Sequence, residues 1–234
     1  MPNQVRVKVN GEFACFSRPE MKVERVSYEV MTPSAARGIL DAILWKPEMR
    51  WHVCKIEVLK PIRFQALKRN EMENKISTRS VRAWMQDPNS YKPQVVGSGL
   101  EGTTPRNTLT LKNVSYIIEA EPIVFDLTGD NTPTKYVEMF NRRVKKGQCH
   151  STPCFGCREF VAHFEQPQED ESSIQDSRDL GWMLYDIIFD PDGKDNRAVF
   201  FEATMENGVV HTAVEKVLAD EQQRKEVLSC SYRR

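Results

Sequence analysis

Apolar and polar positions alternate with period two along residues 5–9, Val-Arg-Val-Lys-Val, the signature of a half-buried strand. Asn10-Gly11 reads as a turn, followed by a short apolar stretch over residues 13–16. Thr32-Pro33 then opens a helix: threonine can cap, and proline suits the first helical position, where its missing N–H would be unpaired anyway. Ala36, Ile39, Leu40 and Ile43 recur at helical spacing, and Pro47 ends the run. Residues 53–59 alternate again, and a third strand is predicted over 108–111 and 115–120. Thr132-Pro133 repeats the helix start, Val137, Phe140 and Val144 supply its buried face, and Gly147 its stop. Residues 160–164 read as a fourth core strand.

The order strand, helix, strand, strand, helix, strand is the split βαβ, or ferredoxin-like (βαββαβ), pattern. The expected fold class is α+β, with that domain over residues 1–165 and a small antiparallel β-sheet part behind it. Residues 65–106 lack periodicity and carry Gly97-Ser98-Gly99 and Gly102-Thr103-Thr104-Pro105, so a long irregular insertion is expected there. Residues 166–179 read as a solvated acidic linker containing Glu169, Asp170 and Glu171. Residues 180–234 follow as a β-rich part. It pairs 182–189 with 197–205 around Pro191-Asp192-Gly193, turns at Glu206-Asn207-Gly208, and ends in a short helix over 213–228.

In 234 residues, 40% hydrophobic and 28% charged positions give the balance of a soluble globular chain. The start has no apolar core of a signal peptide, and no run of 18 apolar residues suits a membrane span. The six irregularly spaced cysteines therefore read as reduced thiols of a cytoplasmic protein. Formal net charge is zero, so nucleic-acid binding would have to come from local clustering.

Such clustering exists. Lys135, Arg142, Arg143, Lys145, Lys146 and Arg158 fall close together with His150, mostly at the end of the second helix. Cations there can complement the helix dipole or hold phosphates. Lys55, Lys60, Arg63, Lys68, Arg69, Lys75, Arg79 and Arg82 form a second basic stretch flanking the irregular segment. Trp84 inside it suits either base stacking or local packing. Cys154-x-x-Cys157, with Cys149 and His150, allows a zinc-stabilised module as a weaker alternative to ordinary thiols. Gly-rich phosphate loops, nucleophile elbows and His-Glu-x-x-His helices are absent from the sequence.

Several ordered segments carry a resemblance. They are Phe16-Ser17-Arg18-Pro19-Glu20, Met31-Thr32-Pro33-Ser34-Ala35-Ala36-Arg37-Gly38-Ile39-Leu40, Trp45-Lys46-Pro47, Leu59-Lys60-Pro61-Ile62-Arg63, Phe140-Asn141-Arg142-Arg143, Gly156-Cys157-Arg158-Glu159-Phe160 and Met205-Glu206-Asn207-Gly208. Together, from about residue 4 to about residue 210, the chain resembles the "Cas five" family of subtype I-C (Dvulg) CRISPR systems, in the repeat-associated mysterious protein superfamily. The resemblance implies a metal-independent endoribonuclease without cofactors. Such an enzyme cuts the repeat of precursor CRISPR RNA at its hairpin and stays on the 5′ handle with the other type I-C Cascade subunits. Non-specific DNA is a further expected partner class, and a membrane is not.

The implied reaction is attack by a ribose 2′-hydroxyl on the adjacent phosphate, leaving a 2′,3′-cyclic phosphate. It needs a base, a cation and an acid. In the family these roles fall to an aromatic residue or histidine just before Trp-Lys-Pro and to a Lys-His pair opening the second helix. Here those positions hold Leu44, Lys135 and Tyr136. The expected catalytic residues are therefore Lys135, Tyr136 and Tyr28, with His52 as a substitute. Arg18, Lys22, Arg25, Lys46, Arg142, Arg143, Lys145, Lys146 and Arg158 are the expected RNA contacts. Leu44 and Tyr136 also leave open a non-catalytic subunit that binds the 5′ handle.

Overall fold

The computed structural model describes residues 3–21, 23–73, 75–91, 102–189 and 196–229. In chain order the elements are β1 (Val5–Ala14), β2 (Arg25–Val26), α1 (Pro33–Ile43), β3 (Met49–Val58), β4 (Phe64–Met72), α2 (Thr78–Gln86), β5 (Thr103–Val124) and α3 (Pro133–Lys145). They continue as β6 (His163–Glu165), β7 (Arg178–Ile188), β8 (Arg197–Glu206), β9 (Val209–His211), α4 (Val214–Val217) and α5 (Glu221–Ser229). This is a mixed helix–strand fold around one nine-stranded sheet in the order β6-β1-β5-β3-β9-β8-β7, with β2 and β4 also pairing to β5. Among the described residues no helix is long and apolar enough to cross a membrane.

The 22-residue β5 is the spine of the sheet. Its first half pairs with β4 and its second half lies between β1 and β3. The polar Lys112-Asn113 step, where Asn113 takes a φ of 54°, separates the two strand segments expected from the alternation. Pairing of Phe13 with Lys112 and Gly11 with Val114 carries the strand across that step. For the same reason Asn10-Gly11 is not a turn. Gly11 stays in β1 because Phe155 packs over it: a Cβ there would stand 2.8 Å from the ring.

Residues 65–106 are not simply irregular. β4 runs antiparallel to β5 in register from Phe64–Leu111 to Met72–Thr103. Phe64, Ala66, Lys68, Asn70 and Met72 are all exposed and the intervening side chains only half-buried, so no apolar period marks the strand. Backbone pairing holds it instead. Ser77 caps α2, and Trp84 packs edge-on against Tyr91 at 5.1 Å, which is the local-packing alternative. The Gly97-Ser98-Gly99 and Pro191-Asp192-Gly193 signals lie outside the described residues.

The acidic stretch 166–179 is likewise more than a solvated link. Glu171 bridges to Lys8, and the Ile174 N–H donates to the Val58 carbonyl at 2.9 Å. Glu169 and Asp170 are exposed as expected. The β8–β9 turn has Asn207 and Gly208 both at positive φ, 49° and 75°, which matches the twist of a two-residue hairpin. β9 pairs with β3, so the later strands extend the same sheet. The single terminal helix of the sequence reading is two short helices, α4 and α5.

Thr32 and Thr132 cap α1 and α3 as the sequence predicts, each accepting a backbone N–H three residues on. The buried face of α3, Tyr136, Val137, Phe140 and Val144, meets the sheet where Phe140 packs edge-on against Trp51 of β3 at 5.0 Å. α1 is tied to β3 and β7 by a buried ion cluster. Arg37 donates through Nε and Nη2 to both oxygens of Asp186, at 3.1 and 2.9 Å, and Arg50 donates to the same carboxylate at 2.6 Å. Removing one member of such a cluster leaves desolvated charge behind. Asp186→Ala is expected to lower the unfolding free energy by about 3 kcal/mol, read as an earlier urea midpoint.

Candidate functional site

The turn from α1 into β3 and the N-terminal end of α3 form one site. Thr132 caps α3 by accepting the Lys135 N–H at 3.3 Å. Lys135 then lies half-buried, its Nζ donating to Asn131 Oδ1 at 3.3 Å and standing 5.8 Å from the Tyr136 ring centroid. Tyr136 itself is fully buried. Its hydroxyl reaches two acceptors, Glu48 Oε1 and Asn131 Oδ1, each at 2.8 Å. Burial and then the Glu48 carboxylate push this phenol well above the ordinary tyrosine range. Leu44, at the position where the family carries an aromatic residue or histidine, is fully buried and accepts the Trp51 indole N–H through its carbonyl.

Lys135 and Tyr136 are therefore together, but Tyr28 is not with them. Tyr28 is buried, its hydroxyl accepts the Leu184 N–H of β7 at 3.2 Å, and the Arg18 guanidinium lies 4.5 Å from its ring centroid. Burial raises its pKa as well, so it is a poor base where it stands. His52 is also buried and engaged: Nε2 accepts the Val214 N–H at 3.2 Å, and Nδ1 faces Glu121 at 3.1 Å. The sequence does not point to Glu48 or Asn131. They sit on loops, where no periodicity marks them; the one local signal is that each directly flanks a motif, Trp45-Lys46-Pro47 or Thr132-Pro133.

Behind Lys135 the basic residues continue along α3 and the loop after it. Arg142, Lys145, Lys146 and Arg158 are exposed, and Arg143 and Lys46 half-buried. Arg143 donates to the Ile43 carbonyl at 2.6 Å, while His150 and Ser151 give their N–H groups to the Ala42 carbonyl. The open carbonyls at the end of α1 are satisfied in this way, which fixes α3 against the Leu44–Glu48 turn. The His150 ring stacks on the exposed Trp45, centroids 6.5 Å apart and planes 27° from parallel. Arg25, by contrast, is engaged with Glu71 and Glu159. Lys22 lies outside the described residues.

The cysteines do not assemble a zinc module among the described residues. Cys154 forms an isolated bridge to Val161, whereas Cys157 faces the Cys15 carbonyl at 3.9 Å and Arg25 at 3.7 Å. Ligand-type atoms of His52, Cys54 and Glu121 do lie within 4.8 Å of one another. Because His52 Nε2 accepts a backbone N–H, its proton belongs on Nδ1, the nitrogen a metal in that trio would need. The loop is held by shape instead: Gly156 adopts a φ of 80°, and a Cβ there would fall 2.0 Å from the Cys15 carbonyl oxygen.

Glu159 anchors the same loop through Arg69 and Arg25. Burial opposes its ionisation, but the Arg69 hydrogen bond and both guanidiniums outweigh this and hold the carboxyl below its usual range. A depressed folded pKa contributes stability that is complete above the unfolded value, about 4.3. That stability is lost as pH falls through the folded value. Melting temperature measured from pH 7 to 3 is expected to fall in that window, and less steeply in Glu159→Gln.

Comparison with known proteins identifies the family. The family model described as CRISPR-associated protein (Cas_Cas5), in its Cas5d form, matches residues 5–212. A Mannheimia succiniciproducens protein named CRISPR pre-crRNA endoribonuclease Cas5d is 46% identical over 218 residues, covering 90% of this chain and 95% of that one. The Thermus thermophilus protein of the same name is 46% identical over 186 residues, 80% of this chain and 74% of its own. Among solved structures, a CRISPR-associated protein superposes with a TM-score of 0.61 at 23% identity, covering 89% and 90% of the two chains. The Streptococcus mutans protein SMU1763c does so with 0.60 at 20%, covering 89% and 91%. These two share the fold. By sequence, this chain belongs to the CRISPR-associated Cas5 family and, within it, to the Cas5d group.

Proposed function

We propose that this protein is a metal-independent endoribonuclease that cuts precursor CRISPR RNA in the repeat. It then stays on the 5′ handle as a subunit of the type I-C Cascade complex. The observation that carries the reading is Lys135: an ammonium at the capped start of α3, half-buried beside Asn131 and Tyr136, from which exposed cations continue along the helix. Lys135 supplies charge for the developing phosphorane, and Arg142, Lys145, Lys146 and Arg158 hold the phosphates on either side. Tyr136, closed in by Glu48 and Asn131, holds that pair in place rather than meeting RNA directly. The strand order β6-β1-β5-β3 with α1 and α3 between strands supports a ferredoxin-like unit over residues 1–165, extended by the β-rich part from residue 180.

The second reading is a non-catalytic subunit that only caps the handle, and the buried Leu44 and Tyr136 favour it. Incubating the protein with its cognate repeat RNA in EDTA separates the two. Cutting is expected, with none on a substrate carrying a 2′-deoxy at the cut site; tight binding without cutting selects the second reading. Lys135→Ala is expected to cut about 100-fold more slowly.

The phosphate contacts predict a separate outcome. Replacing Arg142, Lys145 and Lys146 together by alanine is expected to reduce the slope of log affinity against log salt by about 2, at ~0.7 per single-strand phosphate contact. Single-stranded DNA of the repeat sequence should show the same loss of slope, since those cations meet phosphates rather than ribose hydroxyls.

A further inference from the structure

The site described above has a cation, but none of the expected residues serves as a base beside it. Leu44 has no titratable side chain, Tyr136 is buried with its hydroxyl engaged, and Tyr28 and His52 are buried with partners elsewhere. Asp126, near Tyr136, accepts the Thr128 N–H at 2.9 Å, and that turn lowers its pKa, which makes it a weaker base.

Glu48 differs from all of these. It is half-buried on the turn between α1 and β3, and its own carbonyl accepts the Phe125 N–H at 2.9 Å, which fixes the backbone. Oε1 takes the Tyr136 hydroxyl at 2.8 Å, which fixes the carboxylate. Among the described residues no cation pairs with this side chain and no hydrogen bond engages Oε2. Asn131 links it to the ammonium: the same Oδ1 lies 2.8 Å from the Tyr136 hydroxyl and 3.3 Å from Lys135 Nζ. A carboxylate and an ammonium are thus held at one site without neutralising each other. Transfer at a phosphodiester needs that arrangement, one group to accept a proton and one to meet negative charge.

We propose that Glu48 is the general base, taking the proton from the attacking ribose 2′-hydroxyl; this rests on the endoribonuclease reading above. The 2′-oxygen forms its bond to phosphorus as its proton passes to Glu48, and the bond from phosphorus to the 5′-oxygen breaks. The departing 5′-oxygen takes a proton from water, and the hydroxide so formed recovers the proton from Glu48. Atoms and charge balance, and the products are a 2′,3′-cyclic phosphate and a 5′-hydroxyl. Lys135 acts on the non-bridging oxygens, and Tyr136 and Asn131 are positioning residues.

The test is single-turnover cleavage of the cognate repeat RNA in EDTA with protein in excess, comparing wild type with Glu48→Gln. Glutamine keeps an oxygen for the Tyr136 hydroxyl and loses the basicity, so a rate at least ~100-fold lower is expected. Glu48→Asp, which keeps a carboxylate but retracts it, should fall between the two. A substrate with sulfur in place of the bridging 5′-oxygen supplies a leaving group that needs no acid. With it, the Glu48→Gln defect is expected to persist; restoration to the wild-type rate would make Glu48 the acid and overturn the proposal. Glu48→Gln cutting within threefold of wild type overturns it too. A wild type that never cuts overturns the endoribonuclease reading and this proposal together.

Discussion

One buried carboxylate, Asp186, holds α1, β3 and β7 in a single arrangement. Both of its oxygens receive Arg37 from α1, and Arg50 of β3 adds a third charge-assisted bond. Desolvating three charged groups costs several kcal/mol each, and the cluster recovers that cost only with good geometry. The forked contact of Arg37 provides such geometry, because a guanidinium matches a carboxylate only when both planes are fixed. Asp41, one turn along α1, also pairs with Arg37, although burial raises its pKa against the pull of both arginines. Misplacing any of the three elements would strand charge in the interior, so the cluster specifies position as much as it stabilises.

The candidate site inherits that specification. The turn carrying Trp45, Lys46 and Glu48 runs from the end of α1 to the start of β3, both members of the cluster. At that point α1 exposes open carbonyls, and the donors that fill them come from α3 and the loop behind it: Arg143, His150 and Ser151. A capping requirement of one helix thereby places the basic face of another. The Tyr136–Glu48–Asn131 contacts close the opposite end, so α3 is held near both termini.

What the sequence reveals and what it hides follow from the same physics. Both long helices are legible because threonine caps, N1 prolines and apolar spacing are local. Lys135 is suggested only by the family resemblance at the start of α3 and by its place among other cations. β4 is hidden because a strand with both faces partly in solvent leaves no period in its side chains. Chemistry alone groups Tyr28 with the proposed reaction site, and only the fold shows its hydroxyl accepting the Leu184 N–H of β7. Glu48 is hidden for the opposite reason: glutamate on a turn is common, and its value comes from a side-chain bond to Tyr136, 88 residues away. Asn131, 83 residues away, joins it through that shared hydroxyl.

Net charge, zero here, is a poor guide to the partner of such a protein. Lys8 faces Glu165 and Glu171, Lys55 faces Glu57 and Glu119, and Arg25 and Arg69 share Glu159. These pairs consume acidic groups along the sheet and beneath the loop. Among the described residues, Lys46, Arg142, Lys145, Lys146 and Arg158 make no such ion pair. The Debye length near physiological salt is about 8 Å, short enough that carboxylates across the sheet cannot screen α3. In the function proposed above, these unpaired cations are the ones left to meet RNA phosphates on an electrically neutral protein. On that proposal, pairing the carboxylates with cations along the sheet matters as much to the RNA face as the lysines and arginines themselves.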